Sequence, residues 1–542
     1  MMNNNEISNL ITGVLSNLNI TDVCLCPGAR NSPIISSFIS NDFNTHFILD
    51  ERSAGFYALG IARTSNKPMI ICCTSGTALG NLFPAIIEAR MSEIPLIIIT
   101  ADRPKELIGK GENQTIYQED IYGKYVCHYT ILDKSDDTKE SMIDKINTTV
   151  NLSLGEADDL GRLEKGPVHI NVHIEEPLIN SDLSSDLGNF IINPIKSKIS
   201  SNQTLKINRE IKRPLIICGQ SDLENSTNKI IDISNKIGAP ILADISSNIN
   251  SSNNIISFYD HFIDDIEPPD LILRFGSKPL SKRLRSLLKN YHAITYLVRN
   301  RKIFNDDILE SHLISSILSD SQINNQNSDW INSFIEKDTL INNKIGEISN
   351  RFDLNEYMFA HQIIKRIPKG SNVFIGNSLM IRAFNSFSKK TQKGIRFFSN
   401  RGASGIDGNL STALGIASQS DKNNYLFIGD QSFMHDIGSL QILAENKIKL
   451  TVFIINNYGG AIFDYLPILN RIDPKTFKKF IRNEHTTSFS SIIKSYQLEY
   501  DKIKNSADLK NIDMEKIKVY EVLIDNQNSL KFIRQFSTSL YQ

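Results

Sequence analysis

Short apolar runs that end in polar or glycine-containing turns recur along the whole chain, and they constrain its fold more than any other feature. One run leads into residues 27–28, a second into residues 74–77 and a third into residues 101–104, with helix-like segments between them. This alternation is typical of α/β domains with parallel sheets, whose ligand sites lie at the carboxyl ends of the strands. We therefore expect an α/β fold with mostly parallel sheets flanked by helices.

The length of 542 residues is sufficient for three domains of ordinary size. We predict domains over residues 1–180, 195–345 and 355–542. A strand at 167–172 closes the first domain, and the polar, Ser/Asn-rich stretch 180–208 is predicted to be a linker. A charged, Asn-rich helix-like stretch near 320–350 closes the second.

Composition excludes several classes of function. Hydrophobic residues make up 40% and charged residues 22% of the chain, as in a soluble globular protein. The formal net charge of −1 provides no global field for nucleic acid or an anionic membrane. The sequence has neither a basic, apolar leader nor an apolar run of about 18 residues, so we expect a cytoplasmic protein.

The six cysteines lie mostly in apolar runs and lack the CxxC spacing of zinc sites. We expect them to be buried and reduced, with a disulfide or metal role as the alternative. They are Cys24, Cys26, Cys72, Cys73, Cys127 and Cys218.

Asp430 and Asn457 each follow a strand-like apolar run, 425–428 and 450–455 respectively. A carboxylate and an amide oxygen at neighbouring strand ends give two hard ligands to one cation, and Mg²⁺ prefers such sites completed by phosphate oxygens and water. For Asp430 alone, capping a helix is the alternative role. The accompanying Asn-Asn-x-Gly-Gly string at 456–460 favours a metal-held diphosphate.

Together with the string Asp50-Glu51-Arg52, these residues make the chain resemble thiamine-diphosphate-dependent decarboxylases of the pyruvate-oxidase type. Within that group it is most similar to the menaquinone-pathway synthases of 2-succinyl-5-enolpyruvyl-6-hydroxy-3-cyclohexene-1-carboxylate. The resemblance covers nearly the whole chain and is weakest in the middle domain. Seven strings occur in the family's order: 26–33, 50–52, 74–78, 100–104, 111–114, 399–408 and 456–463.

The resemblance implies a three-domain thiamine-diphosphate-binding fold with thiamine diphosphate and Mg²⁺ (or Mn²⁺) as cofactors. It implies decarboxylation of 2-oxoglutarate, followed by Stetter-like 1,4-addition of the succinyl carbanion to isochorismate. In the family the pyrimidine-binding and diphosphate-binding domains of two chains form one site, so a homodimer or a dimer of dimers is expected. Neither nucleic acid nor a membrane is an expected partner.

The resemblance also assigns cofactor residues. Glu51 matches the carboxyl group beside N1′ of the aminopyrimidine, and a surface glutamate at a helix start is its alternative reading. Asp430, Asn457 and the carbonyl of Gly459 match the metal ligands, although Gln431 replaces the second glycine of the common Gly-Asp-Gly motif. Ile406 matches the residue that wedges the cofactor into its bent conformation. Further cofactor contacts are expected from Ser404, Gly429, Ser432 and Ile462.

Both implied substrates are dicarboxylates, and a guanidinium matches carboxylate geometry. Residues in the matching strings and in three further segments, near 282, 378–382 and 466, are therefore expected to bind substrate. The alternative is that arginines are more often paired on the surface and that short apolar stripes more often belong to the core. The expected set is Arg30, Arg103, Asn113, Gln114, Lys282, Arg283, Ser378, Arg382, Arg401, Phe463 and Leu466. None of the ten histidines lies in a string tied to proton transfer.

Three alternatives stay open at this point. An acetolactate-synthase-like enzyme would use the same cofactor, but such enzymes usually need FAD and the sequence has no convincing flavin fingerprint. A nucleotide-binding regulator or dehydrogenase would need a phosphate-binding mode without either usual glycine motif. An inactive homologue acting as a binding module is disfavoured by the presence of Glu51, Asp430 and Asn457.

Overall fold

The computed structural model of the chain describes residues 2–155, 164–179, 211–220, 227–249, 252–291, 293–298, 311–312, 328–390 and 394–540. They form two compact units. The first unit contains Met1–Ile199, Asn400–Gln419 and Asp436–Ile448, and the second contains Ser200–Ser399, Ser420–His435 and Lys449–Gln542. The predicted linker 180–208 lies outside the described residues, and the predicted limits of the three domains remain a prediction.

The first unit contains a six-stranded sheet in the order β2-β1-β3-β4-β6-β5, with every neighbouring pair parallel. Its strands are β1 (Asp22–Leu25), β2 (Asn44–Phe47), β3 (Met69–Cys73), β4 (Leu96–Asp102), β5 (Tyr129–Leu132) and β6 (Val168–His173). The helices are α1 (Asn4–Asn17), α2 (Ser32–Ser40), α3 (Glu51–Ser65), α4 (Thr77–Asn81), α5 (Phe83–Met91) and α6 (Lys139–Ser153).

The second unit contains two more six-stranded parallel sheets, the first in the order β12-β11-β10-β7-β8-β9. Its strands are β7 (Pro214–Cys218), β8 (Ile241–Ala243), β9 (Ile255–Ile256), β10 (Leu271–Phe275), β11 (Ile294–Val298) and β12 (Ser311–His312). The helices along this part of the chain are α7 (Thr227–Ile237), α8 (Lys282–Asn290) and α9 (Ser328–Ser349).

The other sheet of the second unit has the order β14-β13-β15-β16-β18-β17, again parallel throughout. Its strands are β13 (Asn372–Ile375), β14 (Arg396–Phe398), β15 (Asn424–Gly429), β16 (Thr451–Asn456), β17 (Tyr500–Ile503) and β18 (Val519–Leu523). The helices from α10 onward are α10 (Glu356–Ile363), α11 (Leu379–Phe387), α12 (Asn409–Ser418), α13 (Asp430–His435), α14 (Leu440–Glu445), α15 (Pro474–Thr476), α16 (Ser490–Ser495), α17 (Ser506–Lys510) and α18 (Asn526–Ser539). Of these, α12 and α14 belong to the first unit.

The predicted α/β fold with parallel sheets is confirmed. The central strands β3, β4, β7 and β10 are buried along their whole length, because helices cover both faces of a parallel sheet and leave no face for water. The first and third sheets share one strand order relative to the chain, so the same topology occurs twice.

Two further expectations concern the cysteines and the membrane. All six cysteines are free, as predicted. Five are buried, also as predicted, and Cys127 is partly exposed. Burial raises the pKa of the Cys127 thiol to about 11, which keeps it protonated at neutral pH. Within the described part of the chain, no helix combines the length and the apolar character needed to span a bilayer.

Candidate active site

Asp430 and the loop after β16 meet at the carboxyl ends of two neighbouring strands. Asp430 is the first residue of α13, directly after β15, and β15 pairs with β16 in parallel, with Gly429 opposite Ile455. The backbone N–H of Gly459 donates a hydrogen bond to Oδ2 of Asp430 at 2.9 Å. The structure therefore brings together the loops that carry the three predicted metal ligands.

The side-chain amide of Asn457 is held in one orientation by a buried carboxylate. Nδ2 of Asn457 donates to Oε1 of Glu356 at 2.8 Å, and the hydroxyl of Ser529 donates to the other oxygen of Glu356. Burial raises the pKa of Glu356, while these two hydrogen bonds act against the increase. Oδ1 of Asn457 is buried and has no hydrogen-bond partner among the described residues.

The unpaired Oδ1 of Asn457 indicates whether this part of the structure could bind a cation. A buried polar atom without a partner is costly, and a metal ion is one way to satisfy it. Among the described residues, no group of three or more His, Cys, Asp and Glu side chains could hold a metal ion. The candidate site instead offers a carboxylate, an amide oxygen and a backbone carbonyl. This donor set fits Mg²⁺, which usually takes its remaining ligands from phosphate and water.

Gln431, the departure from the common motif, has a clear contact in the structure. Its Nε2 donates to the carbonyl oxygens of Arg482 and Asn483 at 3.0 and 3.1 Å. A glycine at position 431 could not make either bond. The longer side chain therefore ties the segment around residue 482 to the first turn of α13, which begins with Asp430.

Arg482 and His485 contact the predicted metal ligands and were not anticipated from the sequence. Nη2 of Arg482 donates to the carbonyl of Asn457 at 3.1 Å, and its Nε lies 3.0 Å from Oδ2 of Asp464. Nε2 of His485 lies 3.1 Å from Oδ2 of Asp430. Both residues lie outside the matching strings, in a segment without a recognisable motif.

Glu51 is the first residue of α3, immediately after the residue that caps this helix. Oδ1 of Asp50 accepts hydrogen bonds from the backbone N–H groups of Arg52 and Ser53. The Glu51 carboxylate is therefore not needed as the cap. It is partly exposed, and its Oε2 accepts a hydrogen bond from Nδ2 of Asn81 at 3.2 Å.

Ile406 lies in a short loop of the first unit whose far end is closely packed. The side chain is 40% exposed, and its carbonyl accepts a hydrogen bond from Nδ2 of Asn409 at 2.8 Å. Gly408 has φ +62°, and a Cβ there would lie 1.9 Å from Cγ of Phe56. Only glycine fits this position, so the ring of Phe56 fixes the point where the loop enters α12.

Four of the predicted substrate residues lie near one another in the first unit. Nη1 of Arg103 donates to the hydroxyl of Ser75 at 2.7 Å, and Nη2 donates to the carbonyl of Asn113 at 2.8 Å. Burial and the positive charge of Arg30 lower the pKa of Arg103. A Cβ built on Gly76, the residue after Ser75, would lie 3.2 Å from Cβ of Gln114.

Arg30 itself is buried and anchored within the first unit. Its Nη1 donates to the carbonyl of Ile174 at 3.0 Å, and Nη2 lies 3.2 Å from Oε1 of Glu176. Glu176 is exposed, so this ion pair can be exchanged for a substrate carboxylate at small cost.

The other predicted substrate residues with basic side chains are Arg401 in the first unit and a group in the second. Arg382 donates to the carbonyl of Ser378, and burial followed by the charge of Arg285 lowers its pKa. Lys282 and Arg285 line a cavity of about 570 Å³. Arg283 is paired with Asp264 instead, and its Nη1 donates to the carbonyl of Asp260 at 3.0 Å.

The apolar residues that follow the loop after β16 divide between the core and the surface. Ile462 is partly buried and packs against the main core of the second unit, whereas Leu466 is 37% exposed. Phe463 is partly exposed and packs closely against Gly460. Ser432 is buried in α13. Leu466 is thus the most exposed of the three apolar side chains.

Thirteen non-glycine residues of the described part of the chain have positive φ, and four of them are predicted site residues or lie in the matching strings. These four are Gln114 (52°), Ser378 (68°), Ser404 (64°) and Tyr458 (59°). This conformation is unfavourable for residues with a side chain and is found most often at binding and catalytic sites.

Comparison with known proteins gives three domain matches that follow one another along the chain. Residues 5–121 match the thiamine pyrophosphate enzyme, N-terminal TPP binding domain. Residues 189–375 match the middle domain of thiamine pyrophosphate enzymes, and residues 375–538 match the thiamine pyrophosphate enzyme, C-terminal TPP binding domain.

Curated relatives agree with these matches. A 2-succinyl-5-enolpyruvyl-6-hydroxy-3-cyclohexene-1-carboxylate synthase from Bacillus velezensis is 33% identical over 477 residues, which cover 83% of this chain and 82% of the relative. A protein of the same name from Listeria innocua is 30% identical, covering 90% and 88% of the two chains. The one from Psychromonas ingrahamii is 32% identical, covering 89% and 86%.

Proposed function

Since this chain belongs to the 2-succinyl-5-enolpyruvyl-6-hydroxy-3-cyclohexene-1-carboxylate synthases within the thiamine pyrophosphate enzymes, we propose that it joins 2-oxoglutarate to isochorismate with loss of CO₂. It is a thiamine-diphosphate-dependent synthase of the transferase class, acting in menaquinone biosynthesis. The acetolactate-synthase-like and nucleotide-binding alternatives are not favoured, because each relative described above carries the synthase name.

The observation that carries the proposal is the orphaned amide oxygen of Asn457. It is buried, it has no hydrogen-bond partner among the described residues, and Glu356 holds the amide so that this oxygen cannot exchange places with Nδ2. With Asp430 and the carbonyl of Gly459 it supplies the oxygen ligands that a Mg²⁺ or Mn²⁺ ion needs beside a diphosphate. Gly429 and Ser432 flank the same turn and would contact the diphosphate.

When bound, thiamine diphosphate supplies the electron sink for loss of CO₂ and the nucleophilic carbon for the addition. Glu51 would hold a proton between its carboxyl group and N1′ of the aminopyrimidine ring, which prepares the cofactor's amino group to act as a base. Asn81 donates to Oε2 of Glu51 and would limit the rotation of the carboxyl group. Ile406, on the loop before α12, would support the bent conformation of the cofactor, and Ser404 on the same loop would add a contact to it.

The arginines would select two dicarboxylic acids. Arg30 and Arg103, with Asn113 and Gln114, form one cationic group in the first unit. The positive charge of this group favours carboxylate ligands, because the guanidinium of Arg30 lies close enough to lower the pKa of Arg103. Lys282, Arg283, Ser378, Arg382 and Arg401, with the apolar Phe463 and Leu466, would complete the substrate contacts.

Three finer points belong to the same proposal. We infer a homodimer or a dimer of dimers, since the family's site uses two chains. The role of the cation can be filled by Mg²⁺ or Mn²⁺, as both accept oxygen ligands. The cytoplasmic location expected from the sequence remains a prediction.

One assay tests the function. Purified protein is mixed with thiamine diphosphate, Mg²⁺, 2-oxoglutarate and isochorismate, and the absorbance of isochorismate is followed. We expect loss of isochorismate that requires both 2-oxoglutarate and the cofactor. Turnover of pyruvate with no loss of isochorismate would assign the chain to a different decarboxylase or carboligase.

A further inference from the structure

A buried glutamate in α5 holds the beginning of the loop that carries Ile406. Glu88 is 2% exposed. Its Oε1 accepts the backbone N–H of Gly402 at 2.8 Å, and its Oε2 accepts those of Ala403 and Ser404 at 2.7 and 3.2 Å. Three consecutive N–H groups that converge on one carboxylate form an anion-binding concavity, and each bond is strengthened by the charge.

The carboxylate is fixed from the other side by two residues of the same unit. The hydroxyl of Ser92 donates to Oε1 of Glu88 at 2.8 Å. Nη2 of Arg63 lies 3.7 Å from the same oxygen, and both members of this ion pair are buried. The charge of Glu88 is therefore compensated within the first unit, so its position is set before any ligand binds.

The loop is anchored at both ends and projects between them. At its beginning, a Cβ on Gly402 would lie 2.7 Å from the carbonyl oxygen of Glu88, so the backbone approaches α5 as closely as it can. At its far end Gly408 packs against Phe56. Ile406 lies between these anchors. It is the large apolar residue of the loop, and its side chain is 40% exposed.

We propose that Glu88 is a positioning residue that holds loop 401–408 so that Ile406 and Arg401 reach the cofactor and a substrate carboxylate. This inference rests on the proposed function, in which Ile406 contacts the cofactor rings and Arg401 contacts substrate. Glu88 touches neither ligand. It acts through three backbone bonds at residues 402–404, whereas the bond from Asn409 to Ile406 and the packing at Gly408 fix the other end of the loop.

Two variants test the proposal. Glu88→Gln keeps the shape of the side chain but replaces one acceptor oxygen with an NH₂ group. An NH₂ group cannot accept the hydrogen bonds that the backbone N–H groups of residues 402–404 donate. Glu88→Asp keeps the charge beside Arg63 and withdraws the carboxylate by about 1.5 Å, one C–C bond. Glu88→Asp is the milder change, and it tests the proposal if the Glu88→Gln protein does not fold. Glu140→Gln, on an exposed position of α6, is the matched control.

The first measurement is amide hydrogen exchange in the protein without cofactor. We expect exchange at residues 402–404 to become about tenfold faster or more in both Glu88 variants, given the usual strength of hydrogen bonds to charged groups. Other parts of the first unit and the Glu140→Gln protein should keep the wild-type rates. Unchanged exchange at 402–404 in a folded variant overturns the proposal.

The second measurement separates positioning from general loss of structure. With thiamine diphosphate bound, the exchange rate of the thiazolium C2 proton should fall about tenfold or more, while the affinity for Mg²⁺ and thiamine diphosphate changes little because the diphosphate is bound elsewhere. A faster-exchanging loop with a normal C2 exchange rate also overturns the proposal. Neither measurement needs 2-oxoglutarate or isochorismate, so failure of the proposed reaction would be recognised separately in the isochorismate assay.

Discussion

Nδ2 of Asn457 donates a hydrogen bond to Oε1 of Glu356 at 2.8 Å, although the two residues are 101 positions apart in the chain. This contact determines which atom of the Asn457 amide is left for a ligand. Nδ2 is occupied, and the oxygen remains. A second bond, from Ser529 to the other oxygen of Glu356, keeps the carboxylate from rotating.

Replacing Glu356 with alanine should therefore weaken cation binding. Without its acceptor the Asn457 amide can rotate, and loss of a residue that orients a metal ligand typically costs about 10-fold to 100-fold in metal affinity. Calorimetric titration of Mg²⁺ in the presence of thiamine diphosphate measures this directly. Glu347→Ala, which removes an exposed i,i+4 pair with Arg351, is the control. Equal Mg²⁺ affinities in the two variants would show that Glu356 does not orient Asn457.

Glu51→Gln should lose activity and retain the cofactor. Glutamine fills the same space at the first position of α3 but cannot hold the proton at N1′, and a positioned acid or base contributes about 10²-fold to 10⁴-fold to rate. Initial rates of isochorismate loss give kcat, and calorimetry gives the affinity for thiamine diphosphate. Glu445→Gln, on the exposed face of α14, should behave as wild type. Near-normal turnover by Glu51→Gln would remove Glu51 from the proton-handling role.

Arg103→Lys should raise the KM for one dicarboxylate substrate. The guanidinium of Arg103 reaches Ser75 and the carbonyl of Asn113 at the same time, and a single ammonium group cannot reproduce that fork. The expected increase is about tenfold to a hundredfold, the usual range for hydrogen bonds to charged groups. KM values for 2-oxoglutarate and isochorismate, measured separately, show which substrate is affected.

The control for this arginine is Lys105→Met. Lys105 is exposed and its pair with Asp136 lies at the surface, where such pairs contribute little. If Arg103→Lys and Lys105→Met give the same two KM values, Arg103 does not bind substrate.

Asp338 should make the stability of the second unit depend on pH. Burial raises its pKa from 3.8 to about 6, although the backbone N–H of Phe258 donates to it at 2.6 Å. Between these two pH values the folded protein binds the additional proton. Stability should therefore fall as pH rises through this window, with a slope of up to about 1.4 kcal/mol per pH unit from this group.

Urea unfolding between pH 4 and pH 7 tests this expectation, followed by fluorescence of Trp330. This is the only tryptophan of the chain, and it lies with Asp338 in α9, so it reports on the right region. Asp338→Asn, which cannot titrate, should be less dependent on pH than wild type in this window. Parallel curves for the two proteins would contradict the assigned pKa.

The fold class could be predicted from the sequence, because the alternation of apolar runs and polar turns is local and recurs along the chain. Most buried strands are apolar runs followed by a turn, although β6 alternates apolar with polar residues, and the parallel α/β sheets were predicted correctly from pattern and spacing. The strings around Asp430, Asn457 and Glu51 lie at strand or helix ends, where chemistry is expected. The family followed from the order of these strings, and the relatives confirm it.

The supporting residues could not be predicted, because their partners are distant in sequence and their own surroundings are ordinary. Glu88 lies 314 positions before Gly402, in a helix with no recognisable motif. Arg482 contacts Asn457 and His485 contacts Asp430, and both come from a stretch with no recognisable string. The ion pair between Arg283 and Asp264 could not be predicted either, and the role of Arg283 in binding substrate remains a proposal.

The strand order shared by the first and third sheets has a consequence for how such a chain can change over time. In one copy the third strand ends at Thr74, Ser75 and Gly76, beside Arg103, whereas in the other copy it ends at Asp430. In the proposed function, the duplicated topology places the cation ligand Asp430 at a strand end of one copy and the acid-binding Arg103 near a strand end of the other. Mutation can then alter which acid is accepted while the cofactor's anchor stays under separate selection.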